Sequence, residues 1–206
     1  MKQIVIMTVL LSFSLRLFAA EPAISALIKR KYGKTASFQA QFEQSIYWSV
    51  REKTSKHRGT LTVAPGNRFR IELNNETYVG DGTTFWQYSR GNNQVVIRSF
   101  AELNPAIHPS RLLAAYLTDY PFKEKTRGNG VVTLIWNGDT SGTQEYRSIT
   151  VEARESDGIV TSLVLVDKNM NIHTYRFKKT LFGKTPPANT FTFEAPPDAT
   201  VLDNRE

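Results

Sequence analysis

The sequence predicts a mainly β protein, an antiparallel meander of about eleven strands curled into an open or closed barrel and accompanied by two helices. Three observations carry that expectation. Apolar and polar residues alternate with period two over most of the chain, the pattern of strands with two unlike faces. Asn, Gly, Asp and Pro clusters recur at short intervals between those runs, and short connections join neighbouring antiparallel strands. Only two intervals have the wider spacing of a helix. At 206 residues there is room for one domain with a substantial core.

The first 20 residues read as an address. Lys2 precedes the apolar stretch 4–15, and Ala19-Ala20 stand before Glu21-Pro22. That is the layout of a secretory signal cleaved near residue 20, leaving 21–206 as a single domain. A spanning helix needs roughly 20 apolar residues, and Arg16 interrupts this run, although an uncleaved anchor is the competing reading. The whole chain has 26 basic and 19 acidic residues, a charge of +7; without Lys2 and Arg16 the balance is 24 against 19, or +5. An exported chain without cysteine suits a bacterial envelope, where a large core replaces disulfides, and it has no Cys to carry an acyl anchor.

In the mature chain, Ile24, Leu27, Ile28 and Tyr32 have helical spacing behind Pro22. A long strand follows, with Phe38, Ala40, Phe42, Ile46, Trp48 and Val50 on one face and Gln39, Gln41, Glu43, Ser45 and Ser49 on the other. Further strands are expected at about 56–64, 68–74, 76–80, 83–89 and 93–99, separated by Pro65-Gly66-Asn67, Asn74-Asn75, Asp81-Gly82 and Gly91-Asn92-Asn93. A second helix opens at Pro109-Ser110 and carries Leu112, Leu113, Tyr116 and Leu117 before Pro121. Strands resume at about 122–127, 130–136, 146–153, 158–167 and 171–181, and a short return strand is expected at 191–193. A transmembrane barrel is disfavoured by the odd strand count and the leading amphipathic helix.

Most catalytic chemistry lacks its residues. There is no Gly-x-Ser-x-Gly elbow, and Gly33-Lys34-Thr35 and Gly183-Lys184-Thr185 lack the upstream glycine of a phosphate loop. The three histidines, His57, His108 and His173, are not at metal-ligand spacing. Asp81 and Asp157 precede glycines, where aspartate shapes turns. Basic residues are dispersed, which argues against nucleic acid as a partner. The chain is expected to be a monomer without enzymatic activity, metal or cofactor.

Several strands are apolar on both faces. Val132, Leu134 and Trp136 alternate with Val131 and Ile135, and Leu163 and Leu165 with Val160, Val164 and Val166. Two short helices cannot cover a large curled surface, so apolar area is left over for a cavity or groove. The alternative is an interior filled by the chain's own aromatic residues, as in small barrels.

Phe38-x-Ala40-x-Phe42-x-Gln44, the run 59–65 leading into Arg68-Phe69-Arg70, the hairpin Val79-Gly80-Asp81-Gly82 with Trp86 and Tyr88, and the tail from Phe191 through Pro196-Pro197 to Asp203 together resemble the LolA family of periplasmic lipoprotein carriers. The resemblance spans the mature chain. It implies an unclosed antiparallel β-barrel of about eleven strands, with helices forming a lid over an apolar cavity for lipoprotein acyl chains. It also implies partners: acylated lipoproteins, an inner-membrane ABC transporter of the lipoprotein-releasing type, and an outer-membrane acceptor lipoprotein. One departure stands out, since Ala64 occupies the position before Pro65 where the family usually has an Arg that ties the lid to the barrel.

On this resemblance, the chain is expected to act in the periplasm as a carrier of lipoproteins from the inner membrane to the acceptor. A lipid- or lipoprotein-sensing regulatory module of the same fold is the alternative. Phe69, Ile71, Trp86 and Tyr88 are expected on the cavity wall, with Trp48 and Trp136 as further candidates. Leu112, Leu113 and Leu117 are expected on the lid.

Overall fold

The computed structural model describes residues 23–33, 37–102, 120–138 and 145–205. Helix α1 (Ala23–Gly33) is followed by strands β1 (Phe38–Trp48), β2 (Lys53–Ala64), β3 (Arg68–Leu73), β4 (Glu76–Gly80), β5 (Thr84–Ser89) and β6 (Gln94–Ser99). Strands β7 (Lys123–Gly128), β8 (Val131–Asn137), β9 (Tyr146–Arg154), β10 (Val160–Asp167), β11 (Ile172–Phe182) and β12 (Thr200–Asp203) complete the described elements. All twelve strands belong to one unclosed sheet, in the order β12-β6-β5-β4-β3-β2-β1-β11-β10-β9-β8-β7. The expected signal and the helical interval carrying Leu112, Leu113 and Leu117 lie outside the described residues.

The eleven strands of the meander form where the alternation and the turn clusters place them, and their turns use the residues expected of them. Asn129 and Gly130 both take positive φ, 53° and 73°, between β7 and β8, the backbone of a tight hairpin. The Asp81 carboxylate accepts hydrogen bonds from the Thr83 and Thr84 amides at 2.8 and 2.7 Å, closing the β4–β5 turn.

Two expectations are corrected. Residues 191–193 are not a strand: Phe191 ends a 3-10 turn (Ala188–Phe191), and the Thr192 amide bonds back to the Asn189 carbonyl. Prolines 186, 187, 196 and 197 bracket this segment and have no N–H to give a ladder. The return strand is β12 instead, and it runs parallel to β6, the exception in an otherwise antiparallel sheet. In addition, the apolar face of β1 outruns the core, since Phe38, Ala40 and Phe42 are buried while Trp48 and Val50 are exposed.

The sheet is rolled. Gln87 on β5 and Tyr146 on β9 line one cavity, yet their strands are seven positions apart in the sheet order. Laid flat, strands at ~4.8 Å spacing would hold them roughly 34 Å apart, so twist has brought the inner face around on itself. That face carries Phe38, Phe42, Leu61, Phe69, Phe85, Leu134, Ile149, Leu163 and Leu165, the main core.

Helix α1 plugs one end of the inner face with Ile24, Ile28 and Tyr32. The Tyr32 ring meets Phe38 and Phe182 edge-on at 5.5 and 5.3 Å, and its hydroxyl accepts the buried Val160 amide at 3.0 Å. Burial pushes the Tyr32 phenol up to about 12, so it stays neutral as an acceptor. Gly158, at φ +69°, lets β10 approach the helix beside Leu27.

A smaller cluster lies on the outer face. Residues 187–199 cross it, with Arg68 stacked over the Phe191 ring at 5.3 Å and Asn93 donating to Asp198. Beneath this strap Val79 and Val95 are fully buried. Ala64, at the departure from the family pattern, pairs with Arg68 on this same outer phase.

Candidate functional site

The inner face is filled at one end and open at the other. At the filled end Phe69 packs against Phe85 and Phe100 with centroids 6.1 and 6.3 Å apart. Farther along the same strands, Ile71 and Leu73 of β3 and Tyr78 of β4 stay partly exposed and face a cavity of about 410 Å³. Phe42 and Ile46 of β1, Leu165 of β10 and Tyr175 of β11 complete its apolar wall. That volume falls within the ~300–1,000 Å³ of cavities that take small apolar ligands.

Strand phase explains this lining. Ile71 pairs with Tyr78, Tyr78 with Gln87, Phe42 with Phe177 and Gln44 with Tyr175, so each pair projects its side chains inward together. The Tyr175 and Phe177 rings are nearly parallel, 11° apart, with centroids separated by 6.4 Å. Gln44 donates to the Tyr175 hydroxyl at 2.9 Å, giving the one polar atom of that ring a partner. Burial pushes the Tyr175 phenol up, against the pull of the Gln44 hydrogen bond. Burial likewise raises the Tyr78 phenol, with the Glu76 charge adding to it.

The open end has a polar rim. His173 Nε2 lies 3.3 Å from Asp167 Oδ2, and Asp167 also accepts from the Asn169 and Asn171 amides at 2.8 and 2.9 Å. Burial works against the Asp167 charge, but hydrogen bonds from Asn171 and its neighbours hold the carboxyl below its ordinary range. Glu145 is raised by its own partial burial and by Asp167, with Lys168 acting in the opposite direction. Among the described residues no group of three His, Cys, Asp or Glu side chains is placed to hold a metal ion.

The residues expected on the wall separate into distinct places. Ile71 lines the cavity, and Phe69 lies behind it, fully buried in the core. Trp136 is buried on the inner face, its ring 4.4 Å from Tyr120. Trp48 stands at the open rim, 6.4 Å from the His173 ring. Trp86 and Tyr88 occupy the other phase of β5: Phe85 and Gln87 point inward, whereas Trp86 pairs with Val79 and Tyr88 with Thr77 on the outer face. The Tyr88 ring packs on Phe193 at 5.9 Å beneath the C-terminal strap. Gln44 lies two residues from buried Phe42 on β1, whereas Tyr78 adjoins buried Val79 on the opposite phase of β4 and the strand around Tyr175 has no buried residue, so alternation gave no sign of those two. Polar character hid Gln44.

Residues 33–194 match the profile of a family described as outer membrane lipoprotein carrier protein LolA. An outer-membrane lipoprotein carrier protein of Psychromonas ingrahamii is 25% identical, with 99% of both chains aligned. One from Shewanella woodyi is 24% identical over 88% of this chain and 86% of its own. Among solved structures, an uncharacterized conserved protein from Thermus thermophilus has the same fold, with a TM-score of 0.58 at 14% identity, covering 88% of this chain and 97% of that one.

Proposed function

The chain belongs to the LolA family of outer membrane lipoprotein carrier proteins, and from that premise we propose that its half-filled inner face receives the acyl chains of lipoproteins in transit through the periplasm. The observation that carries the reading is the contrast along one face of one sheet. Phe69 and Phe85 seal one end, while Ile71, Tyr78, Phe42 and Leu165 leave about 410 Å³ open at the other.

The physical task explains why a partly empty interior is useful. Each buried methylene contributes about 0.8 kcal/mol to holding a lipid chain away from water, so a multiply acylated protein faces tens of kcal/mol on leaving a bilayer unaided. A cavity lined by aliphatic and aromatic side chains is a substitute apolar phase that lowers this barrier. The hydrogen bond from Gln44 gives the Tyr175 hydroxyl a partner on that wall, so this polar atom carries no unmet desolvation cost. Because the sheet is unclosed, its two margins can part as the guest enters and leaves.

In this reading Ile71 is a wall residue and Trp48 a rim residue, and Phe69 and Trp136 support the wall from the core. Tyr88 holds the outer strap through Phe193, and Trp86 lies on the same outer phase. Leu112, Leu113 and Leu117, expected on the lid, lie outside the described residues. Cargo comes from an inner-membrane ABC transporter of the lipoprotein-releasing type and passes to an acceptor lipoprotein at the outer membrane.

The test is binding of one lipoprotein in acylated and delipidated forms to the purified mature chain. The acylated form is expected to bind and the delipidated form to be left behind. Equal binding of both would rule out acyl-chain recognition.

A further inference from the structure

Among the described residues, five of the eight exposed large hydrophobic side chains gather at one end of the sheet. Tyr47 is 37% exposed, Trp48 39%, Val50 91%, Met170 51% and Ile172 37%. They sit on two hairpin tips, the turn 49–52 between β1 and β2 and the turn 168–171 between β10 and β11. The tips form one unit. The Ser49 amide donates to Asn171 Oδ1 at 3.0 Å, and the Ser49 hydroxyl donates to the Asn169 carbonyl at 2.7 Å. Tyr47 and Ile172 pair directly across the ladder.

The charges around this tip are mixed but mainly basic. Arg51, Lys53 and Lys168 flank it and Lys56 lies farther along β2, all exposed, against the exposed Glu52 and Glu145. A Trp and a Tyr beside aliphatic side chains with cations behind them suit the boundary between lipid tails and anionic headgroups. The backbone adds weight to this. Met170 is held at φ +63°, a left-handed conformation that Asn or Gly adopts more readily. Elsewhere among the described residues Asn67, Asn93 and Asn129 fill such positions, as do Glu52 and Lys179, both at φ 50°. The Met170 amide closes the turn on the Asp167 carbonyl at 3.0 Å, and its side chain stands 51% exposed, outside the core.

The tip also adjoins the open end of the cavity. Ile46, Asp167 and His173 line that cavity and are the immediate neighbours of Tyr47, Lys168 and Ile172. We propose that the paired tips of the β1–β2 and β10–β11 hairpins are a docking site for an anionic bilayer surface, set so that the cavity mouth faces the membrane. The proposal rests on the carrier reading for its purpose, because an acyl chain moving between bilayer and cavity would then cross little water.

The experiment is flotation of the mature chain with vesicles of equal parts phosphatidylglycerol and phosphatidylcholine, and with phosphatidylcholine alone. Val50→Asp/Met170→Asn is the test variant. Val50 is almost fully exposed and Met170 already has a backbone suited to Asn, so the fold is expected to persist. Binding of N-phenylnaphthylamine by the protein alone reports the cavity. The wild type is expected to float with the anionic vesicles, less so as salt rises, and the variant to bind them at least about tenfold more weakly with unchanged dye uptake. Failure of the wild type to float, undiminished flotation of the variant, or equal binding to the neutral vesicles would overturn the proposal. So would a dimer that forms without lipid and dissolves in the variant, which would give the tip to a second copy. Vesicle binding by a wild type that takes up no dye would support the docking site and count against the carrier reading, so the two fail separately.

Discussion

Gly158→Ala should loosen the helix that plugs the filled end of the barrel. A Cβ at this position would lie 2.9 Å from Leu27 Cγ, 3.3 Å from Leu27 Cδ2 and 3.4 Å from the Ile28 amide nitrogen. Leu27 must shift, and Ile28 next to it is fully buried, so the helix has little freedom to follow. Overpacking of this kind costs about 1–3 kcal/mol. The φ of +69° adds about 1–2 kcal/mol for a residue with a Cβ. Gly→Ala normally returns about 0.4–1 kcal/mol by restricting the unfolded chain, which leaves a loss of about 1–5 kcal/mol. Urea denaturation followed by far-ultraviolet circular dichroism gives the number, with the slope unchanged if only stability moves. A loss under about 0.5 kcal/mol, or any gain, would refute the claim that α1 is packed tightly on β10 at this point.

Tyr32→Phe leaves the buried Val160 amide without its acceptor, and should cost about 1–3 kcal/mol in the same assay with faster hydrogen exchange at Val160. Asp157 is held down to about 2 chiefly by its Arg154 hydrogen bonds, against the effect of burial. A depressed carboxyl stabilises the fold above its ordinary value of 3.8 and loses that effect as pH falls towards 2, so Asp157→Asn should flatten the acid limb of the stability profile over that window. Ile71→Asp places a charge on the cavity wall and should abolish uptake of an alkyl probe, while Trp86→Phe, on the outer face, should leave uptake unchanged; dye titration distinguishes the two.

Much of the architecture is legible in the residues because the two signals that specify a meander agree. Alternation marks most of β1 through β11, with the wholly polar β7 (Lys123–Gly128) bounded by its corners instead, and Asn, Gly and Asp mark the turns. The return strand was not legible. Phe191 and Phe193 alternate as a strand does, yet the prolines around them deny a ladder, and the pairing strand is the short β12. The site was read in part. Ile71, expected on the wall, lines the cavity, whereas Trp86 and Tyr88, expected there too, follow the phase opposite to inward-facing Phe85. A single step along a strand exchanges inside for outside, and aromatic bulk gives no hint of which applies. Gln44, Tyr78 and Tyr175 were missed for the complementary reason, since a hydroxyl or amide on the inner phase looks like surface until its partner is known. Trp48 and Val50 follow the apolar phase of β1 but extend past the core that the phase implies.

The most direct test of the central claim is photo-cross-linking of an acylated lipoprotein to the mature chain, with the reactive side chain placed either at Tyr78 on the cavity wall or at Trp86 on the outer face. The account predicts adducts on the acyl chain from position 78 and none from position 86. Adducts from position 86 alone, or equal adducts from both, would contradict it.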